Sequence, residues 1–162
     1  VYDESGVGMK MESILSCIYV FIGCFAFCFV SNLRGKMMIL APLGGSMGWL
    51  VYLLCGNLNN PIFQSFVATL IISLYSEVIA RIQKVPVTAC LLISILPLVP
   101  GGGLYYTMEY CIRGNIPMFI EKAGYTFGTA GALALGILIV SSAVRLWYSV
   151  RYFAAKPFRK TP

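Results

Sequence analysis

Residues 87–110 read VTACLLISILPLVPGGGLYYTMEY, with Glu109 as the only charge. About 20 apolar residues suffice to cross a bilayer as a helix, so this stretch is long enough to span. Its centre, Ile95-Leu96-Pro97-Leu98-Val99-Pro100-Gly101-Gly102-Gly103-Leu104-Tyr105-Tyr106, is poor helical material. Each proline removes an N–H and clashes with the preceding turn, and each glycine costs about 1 kcal/mol relative to alanine. The stretch therefore predicts a membrane-crossing helix interrupted near its middle. Backbone freed at that depth is tolerated only where protein or a watery cavity satisfies it. Two outcomes fit: a proline kink packed against its neighbours, or an open break that lines a site.

The sequence on either side has the same character. Uncharged runs mark further spans over Ser13–Ser31, Met38–Cys55, Ile62–Ala80 and about Tyr125–Leu146, which with Val87–Tyr110 makes five. In lipid each must be helical, because nothing else satisfies the backbone within one segment. The connections Asn32–Met37, Gly56–Pro61 and Arg81–Pro86 are six residues each, so consecutive spans must be antiparallel neighbours. The expected fold is an all-α integral membrane domain over residues 11–148, with a basic tail over 149–162. Residues 1–10 are set apart as an N-terminal segment, of which 1–8 read as a cloning remnant.

Composition agrees. Of 162 residues, 59% are hydrophobic and 11% charged, with mean hydropathy +0.82. Soluble domains carry about 25% charged residues, so a water-soluble globule is excluded. The net charge of +6 arises from basic residues placed singly between apolar runs, a topology pattern and not a nucleic-acid patch. Lys10, Arg113 and Lys122 fall on one side of the five spans. Arg34, Lys36, Arg81, Lys84, Arg145, Arg151, Lys156, Arg159 and Lys160 fall on the other. The imbalance places the N-terminus outside and the C-terminus in the cytoplasm, in one fixed orientation.

Orientation gives the break a chemistry. The half-helix that starts near Gly102 presents its N-terminus, with unsatisfied N–H groups and partial positive charge, at mid-membrane. The half-helix that ends near Leu96 leaves carbonyls at the same level. Secondary transporters use discontinuous helices in this way, and an amino-acid zwitterion or small carboxylate would suit both ends. Candidate substrate-binding residues are Pro97, Pro100, Gly101, Gly102 and Gly103, with Tyr105 and Tyr106 as caps. The run Ala41-Pro42-Leu43-Gly44-Gly45-Ser46-Met47-Gly48-Trp49 repeats the theme more softly. Gly44, Gly45 and Gly48 are either a close-packing surface or a second wall of the site.

Glu77 lies within a span, where a carboxylate is a functional candidate by default, and Arg81 stands four residues on. It reads equally as an interfacial ion pair or as the group that couples transport to protons. Glu109 with Arg113 has the same spacing and reads as structural. Gly124, Gly128, Gly131 and Gly136 read as a packing seam. The six cysteines read as small buried hydrophobes, with Cys55 and Cys111 near the same face leaving room for a disulfide. There is no histidine, catalytic triad, phosphate loop or metal motif, so no enzyme, cofactor or metal is expected.

Several runs together carry a family resemblance. Leu74-Tyr75-Ser76-Glu77-Val78-Ile79-Ala80-Arg81, Val85-Pro86-Val87-Thr88, Ile95 through Gly103 and Tyr105-Tyr106-Thr107-Met108 resemble the threonine/serine exporter family. Ser31-Asn32 and the stretch Gly44–Tyr52 with Gly48-Trp49 are similar too. The match covers about Met11 to Leu146. The resemblance implies the C-terminal five-span module of a ten-span exporter, in its split form the small subunit. The implied partner is a larger five-span subunit with a soluble N-terminal region, and a homo-oligomer is the other possibility. The implied activity is proton-coupled export of threonine and serine, or of succinate, across a bacterial plasma membrane. Parity supports the pairing, since two five-span modules in series must be inverted relative to each other. The alternative is a scaffold that transports nothing and stabilises a partner subunit.

Overall fold

A computed structural model describes residues 4–58 and 60–155. The described residues form helices α1 (Glu4–Val30), α2 (Met37–Leu54), α3 (Pro61–Gln83), α4 (Val87–Ile95), α5 (Gly101–Ile112) and α6 (Ile116–Ala155), with no strand among them. Short 3₁₀ turns follow α2 at Cys55–Leu58 and α4 at Leu96–Leu98. Residues 1–3 and 156–162, which include most of the basic charge of the tail, lie outside the described residues.

Local chemistry sets the ends. Asn60 caps α3 by accepting from the Ile62 N–H at 3.2 Å, and Pro61 takes the first helical position, where no N–H is needed. Lys84, at φ 54°, closes α3 with a bond from the Val85 N–H to the Ala80 carbonyl, and Pro86 prevents continuation. Gly114, at φ 69°, closes α5 in the same manner, with the Asn115 N–H on the Tyr110 carbonyl. Asn115 then accepts from the Met118 N–H to start α6.

Four helices, α1, α2, α3 and α6, are long and apolar enough to cross a membrane. The segments 87–98 and 101–112 meet that test only together, bent by 57°, and would make a fifth. The interruption expected from Pro97 to Gly103 is present. The last span differs from its expected limits, since α6 runs from Ile116 to Ala155 and not from Tyr125 to Leu146. At 1.5 Å per residue its 40 residues reach about 60 Å, twice a hydrocarbon core. An uncharged run measures only the lipid-compatible part. Glu121 and Lys122 end that run, but both residues are compatible with a helix.

α3 is the hub, packing on α2, α4 and α6, while α1 lies on α2 and α5 on α6. One apolar cluster joins Cys24 and Cys28 of α1, Met37 and Ala41 of α2, and Cys90 and Ile93 of α4. A second joins Ala68 and Ile72 of α3, Ile95 of α4, Leu98 of the turn after it and Leu133 of α6. In a bilayer, lipid is as apolar as leucine, so close packing and interhelical hydrogen bonds must hold such a bundle. Gly48 lets Ile72 approach so closely that a Cβ would overlap its side chain, and a Cβ on Gly44 would lie 2.5 Å from Ser94 Oγ and 2.7 Å from the Tyr75 ring. Gly128 and Gly136 admit Ile62 and Thr69 of α3 to α6, whereas Gly124 and Gly131 face open space. Cys24, Cys28 and Cys90 are buried as expected, but Cys17 and Cys55 are only half-buried and Cys111 is exposed; all six cysteines are free, so Cys55 and Cys111 do not pair.

Candidate functional site

The break is built by two missing donors. Pro97 has no N–H for the Ile93 carbonyl, and Pro100 has none for Leu96. The Leu96 carbonyl takes the Val99 N–H at 3.3 Å in a tightened turn. The Ile93 carbonyl takes the Leu96 N–H in another tightened turn, and also the Cys24 thiol of α1 at 3.5 Å. The chain then extends at Val99 (ψ 127°), and the Gly101 N–H folds back on the Val99 carbonyl at 2.7 Å. Helix resumes with Leu104 N–H on the Pro100 carbonyl at 3.0 Å. The first-turn amides of Gly102 and Gly103 thus have no carbonyl within the helix to bond.

α2 and α3 hold the inner half of the break through side-chain hydroxyls. Ser94 Oγ donates to the Ala41 carbonyl at 2.9 Å, and the Tyr75 hydroxyl donates to the Leu40 carbonyl at 2.8 Å. Both acceptors lie beside Pro42, buried within α2. A Cβ on Gly45 would sit 3.6 Å from the Pro97 ring. Gly44, Gly45 and Gly48 therefore meet other helices directly, with Gly45 backing the break.

On the other side of the break lies a cavity of about 230 Å³. Pro97, Leu98, Pro100 and Gly103 form one wall, Trp49 and Tyr52 of α2 a second, and Ser65 of α3 with Tyr125 and Thr129 of α6 the rest. The Trp49 and Tyr52 rings stack at 5.4 Å. The Trp49 indole N–H is buried without an acceptor. An indole nitrogen can only donate, so Trp49, one of the lining residues, keeps an unused buried donor.

Glu77 belongs elsewhere. It lines a groove of about 520 Å³ between α3 and α6, with Leu74, Val78, Arg81, Ile82, Ala143, Val144, Trp147 and Tyr148. Glu77 is buried and paired through Oε2 with Arg81, whose guanidinium lies 4.6 Å over the Tyr148 ring. Glu109 and Arg113 also pair, at 2.6 Å.

The structure thus gathers Pro97, Pro100 and Gly103 around one cavity. Gly101 and Gly102 sit exposed at its edge, with nothing within 4 Å of an added Cβ. Tyr105 and Tyr106 pair edge-to-face and are 66% and 53% exposed on the outer surface of α5, away from the cavity. Sequence reasoning missed Trp49, Tyr52, Ser65, Tyr125, Thr129 and the role of Cys24. Trp49 stood next to Gly48 in a run already singled out. The hydroxyl residues carried no signal, because helix periodicity does not say which face meets the break.

Among known protein families, the model of the threonine/serine exporter family matches residues 16–143. No curated protein and no solved structure matches the chain. The matched residues take in the broken helix, α2, α3 and most of α6. With its several apolar helices it is a multi-pass membrane protein, and it belongs to the threonine/serine exporter family.

Proposed function

We propose that this chain is one subunit of a proton-coupled secondary exporter, moving threonine and serine or a small carboxylate such as succinate out across a bacterial plasma membrane. The observation that carries the reading is the cavity at the break, which Trp49 and the first turn of α5, with its unbonded amides, line together. Donors without acceptors in apolar surroundings favour a carboxylate, and the positive end of α5 adds to that preference. The cavity holds roughly seven or eight waters' volume, enough for a solute of a few heavy atoms.

The excess of Lys and Arg on one side supports five spans with the N-terminus outside and the C-terminus in the cytoplasm. In that orientation the cavity opens on the outer half of the domain. α5 has no buried residue, which suits a helix completed by another chain. That chain is a larger five-span subunit of opposite orientation, or a second copy.

Efflux of threonine, serine and succinate from cells expressing this chain, with and without a larger five-span subunit, tests the proposal. Efflux that needs both chains, and is lost in Trp49→Phe, supports the exporter and its site. Efflux that persists when the break is altered by Pro100→Ala assigns transport to the partner and leaves this chain a scaffold.

A further inference from the structure

The C-terminal parts of α3 and α6 border the groove of about 520 Å³ in which Glu77 and Arg81 pair. Leu74, Val78 and Ile82 line it from α3, and Ala143, Val144 and Trp147 from α6. Leu74, Val78, Ile82 and Trp147 remain 54%, 49%, 65% and 64% exposed, so no helix among the described residues covers them. Along α3 the lining runs from Leu74 to Ile82, about 12 Å at 1.5 Å per residue. An open apolar channel of that length suits a hydrocarbon chain.

One end of the groove is charged. The uncharged run of α6 ends at Val144. Trp147 and Tyr148 follow within four residues, and such side chains settle at head-group level. Arg81 reaches the same level, with its guanidinium 4.6 Å over the Tyr148 ring. Its Nη1 makes both of its hydrogen bonds, to the backbone carbonyl and Oε2 of Glu77, and Nε and Nη2 have no partner among the described residues. The α6 lining positions are 143, 144, 147 and 148, and Arg151 is next in that helical repeat, one turn beyond Trp147. Arg151 is exposed and has no carboxylate partner among the described residues. Glu77, Arg81 and Arg151 together leave one positive charge. One negative charge at head-group level above an apolar channel is the chemistry of an anionic phospholipid.

A helix of another chain is the competing occupant, and it would have to bring its own carboxylate to Arg151. The face open to another chain lies elsewhere. α5, which has no buried residue, meets α6 at Thr126, about 33 Å along that helix from Tyr148. We propose that the groove between residues 74–82 and 143–148 binds one anionic phospholipid, with its phosphate held by Arg81 and Arg151 and one acyl chain along the groove. Basic pockets between membrane helices hold lipid head groups in this way. The assignment stands on the membrane fold and is independent of the exporter reading.

Native mass spectrometry of the purified full chain in detergent, titrated with phosphatidylglycerol or phosphatidylcholine, tests the proposal. The wild type should retain one phosphatidylglycerol at least about fivefold more tightly than phosphatidylcholine, and Arg151→Gln should weaken phosphatidylglycerol by about fivefold, the effect of one basic residue at a membrane surface. Ala143→Trp fills the groove from an exposed position without changing charge, and should weaken it too. Arg145→Gln removes the same charge outside the lining repeat and should bind as the wild type does. Arg81 is left in place, because its loss would also strand Glu77. Unchanged helical circular dichroism in each variant separates lost binding from lost fold. Equal retention of the two lipids, or equal weakening by Arg145→Gln and Arg151→Gln, overturns the site in favour of general surface charge. Wild-type binding in Ala143→Trp overturns the seat of the acyl chain. Groove variants that keep the lipid but fail to assemble with a larger five-span subunit assign the groove to that subunit and overturn the proposal as well.

Discussion

The Cys24 thiol stands 3.5 Å from the carbonyl oxygen of Ile93, the acceptor that Pro97 deprives of its helical donor. The Leu96 N–H takes that carbonyl in a tightened turn, and the thiol of α1 adds a second donor that ties the first helix to the break. Cys24→Ala removes one of the two donors to that carbonyl, which keeps the Leu96 N–H, at a cost of about 0.5–1.5 kcal/mol. Cys24→Ser keeps a donor. The expected order of melting temperatures in detergent is Cys24→Ala below both wild type and Cys24→Ser. Equal melting of all three would make the contact incidental.

The hydroxyls of Ser94 and Tyr75 grip α2 on either side of the Gly44 contact. Removing one by Ser94→Ala or Tyr75→Phe should cost about 1–2 kcal/mol, since each bond is buried or half-buried. Both converge on neighbouring carbonyls, so the double variant should lose an amount different from the sum of the two. Denaturant titration of the four proteins measures the coupling, and strict additivity would mean that the bonds act independently.

Gly48→Ala places a methyl group on the Ile72 side chain. Overpacking of this kind costs about 1–3 kcal/mol. Ile72→Val, which removes a δ-methyl that occupies the space, should recover much of that loss in the double variant. A Gly48→Ala protein as stable as wild type would show that the α2–α3 seam yields easily.

Within the glycine triplet the three positions should differ. Gly102→Ala adds a methyl group to open space and should insert and fold normally. Gly103→Ala brings its methyl to 2.5 Å from Thr126 Oγ1 and should push α5 off α6. Membrane insertion and crosslinking between α5 and α6 read this out. Export through the break, assayed in the same cells, should fall further in Gly103→Ala than in Gly102→Ala.

Glu77→Gln keeps shape but removes the charge that Arg81 meets. If Glu77 couples export to protons, the pH dependence of efflux should flatten in this variant, and Arg81→Gln should alter it as well. A lowered rate with an unchanged pH profile would assign the pair to structure alone.

The sequence by itself determined a membrane domain of apolar helices and the place where one of them breaks. Hydrocarbon admits only self-satisfied helices, and Pro97, Pro100 and three glycines cannot complete one. It also put Glu77 and Arg81 within reach of each other, because residues four apart share a helix face, and the structure shows them paired. The limits of the last helix were not legible, since an uncharged run reports lipid contact and not helix length. Only the tertiary structure decided that Trp49, Ser65 and Thr129 join Pro97 and Gly103 around one cavity while Tyr105 and Tyr106 turn away. It also set the Cys24 thiol of α1 on the Ile93 carbonyl at the break. Those relationships depend on how helices rotate and approach one another, and close contacts such as Gly48 on Ile72 set that rotation, whereas spacing along any single helix does not.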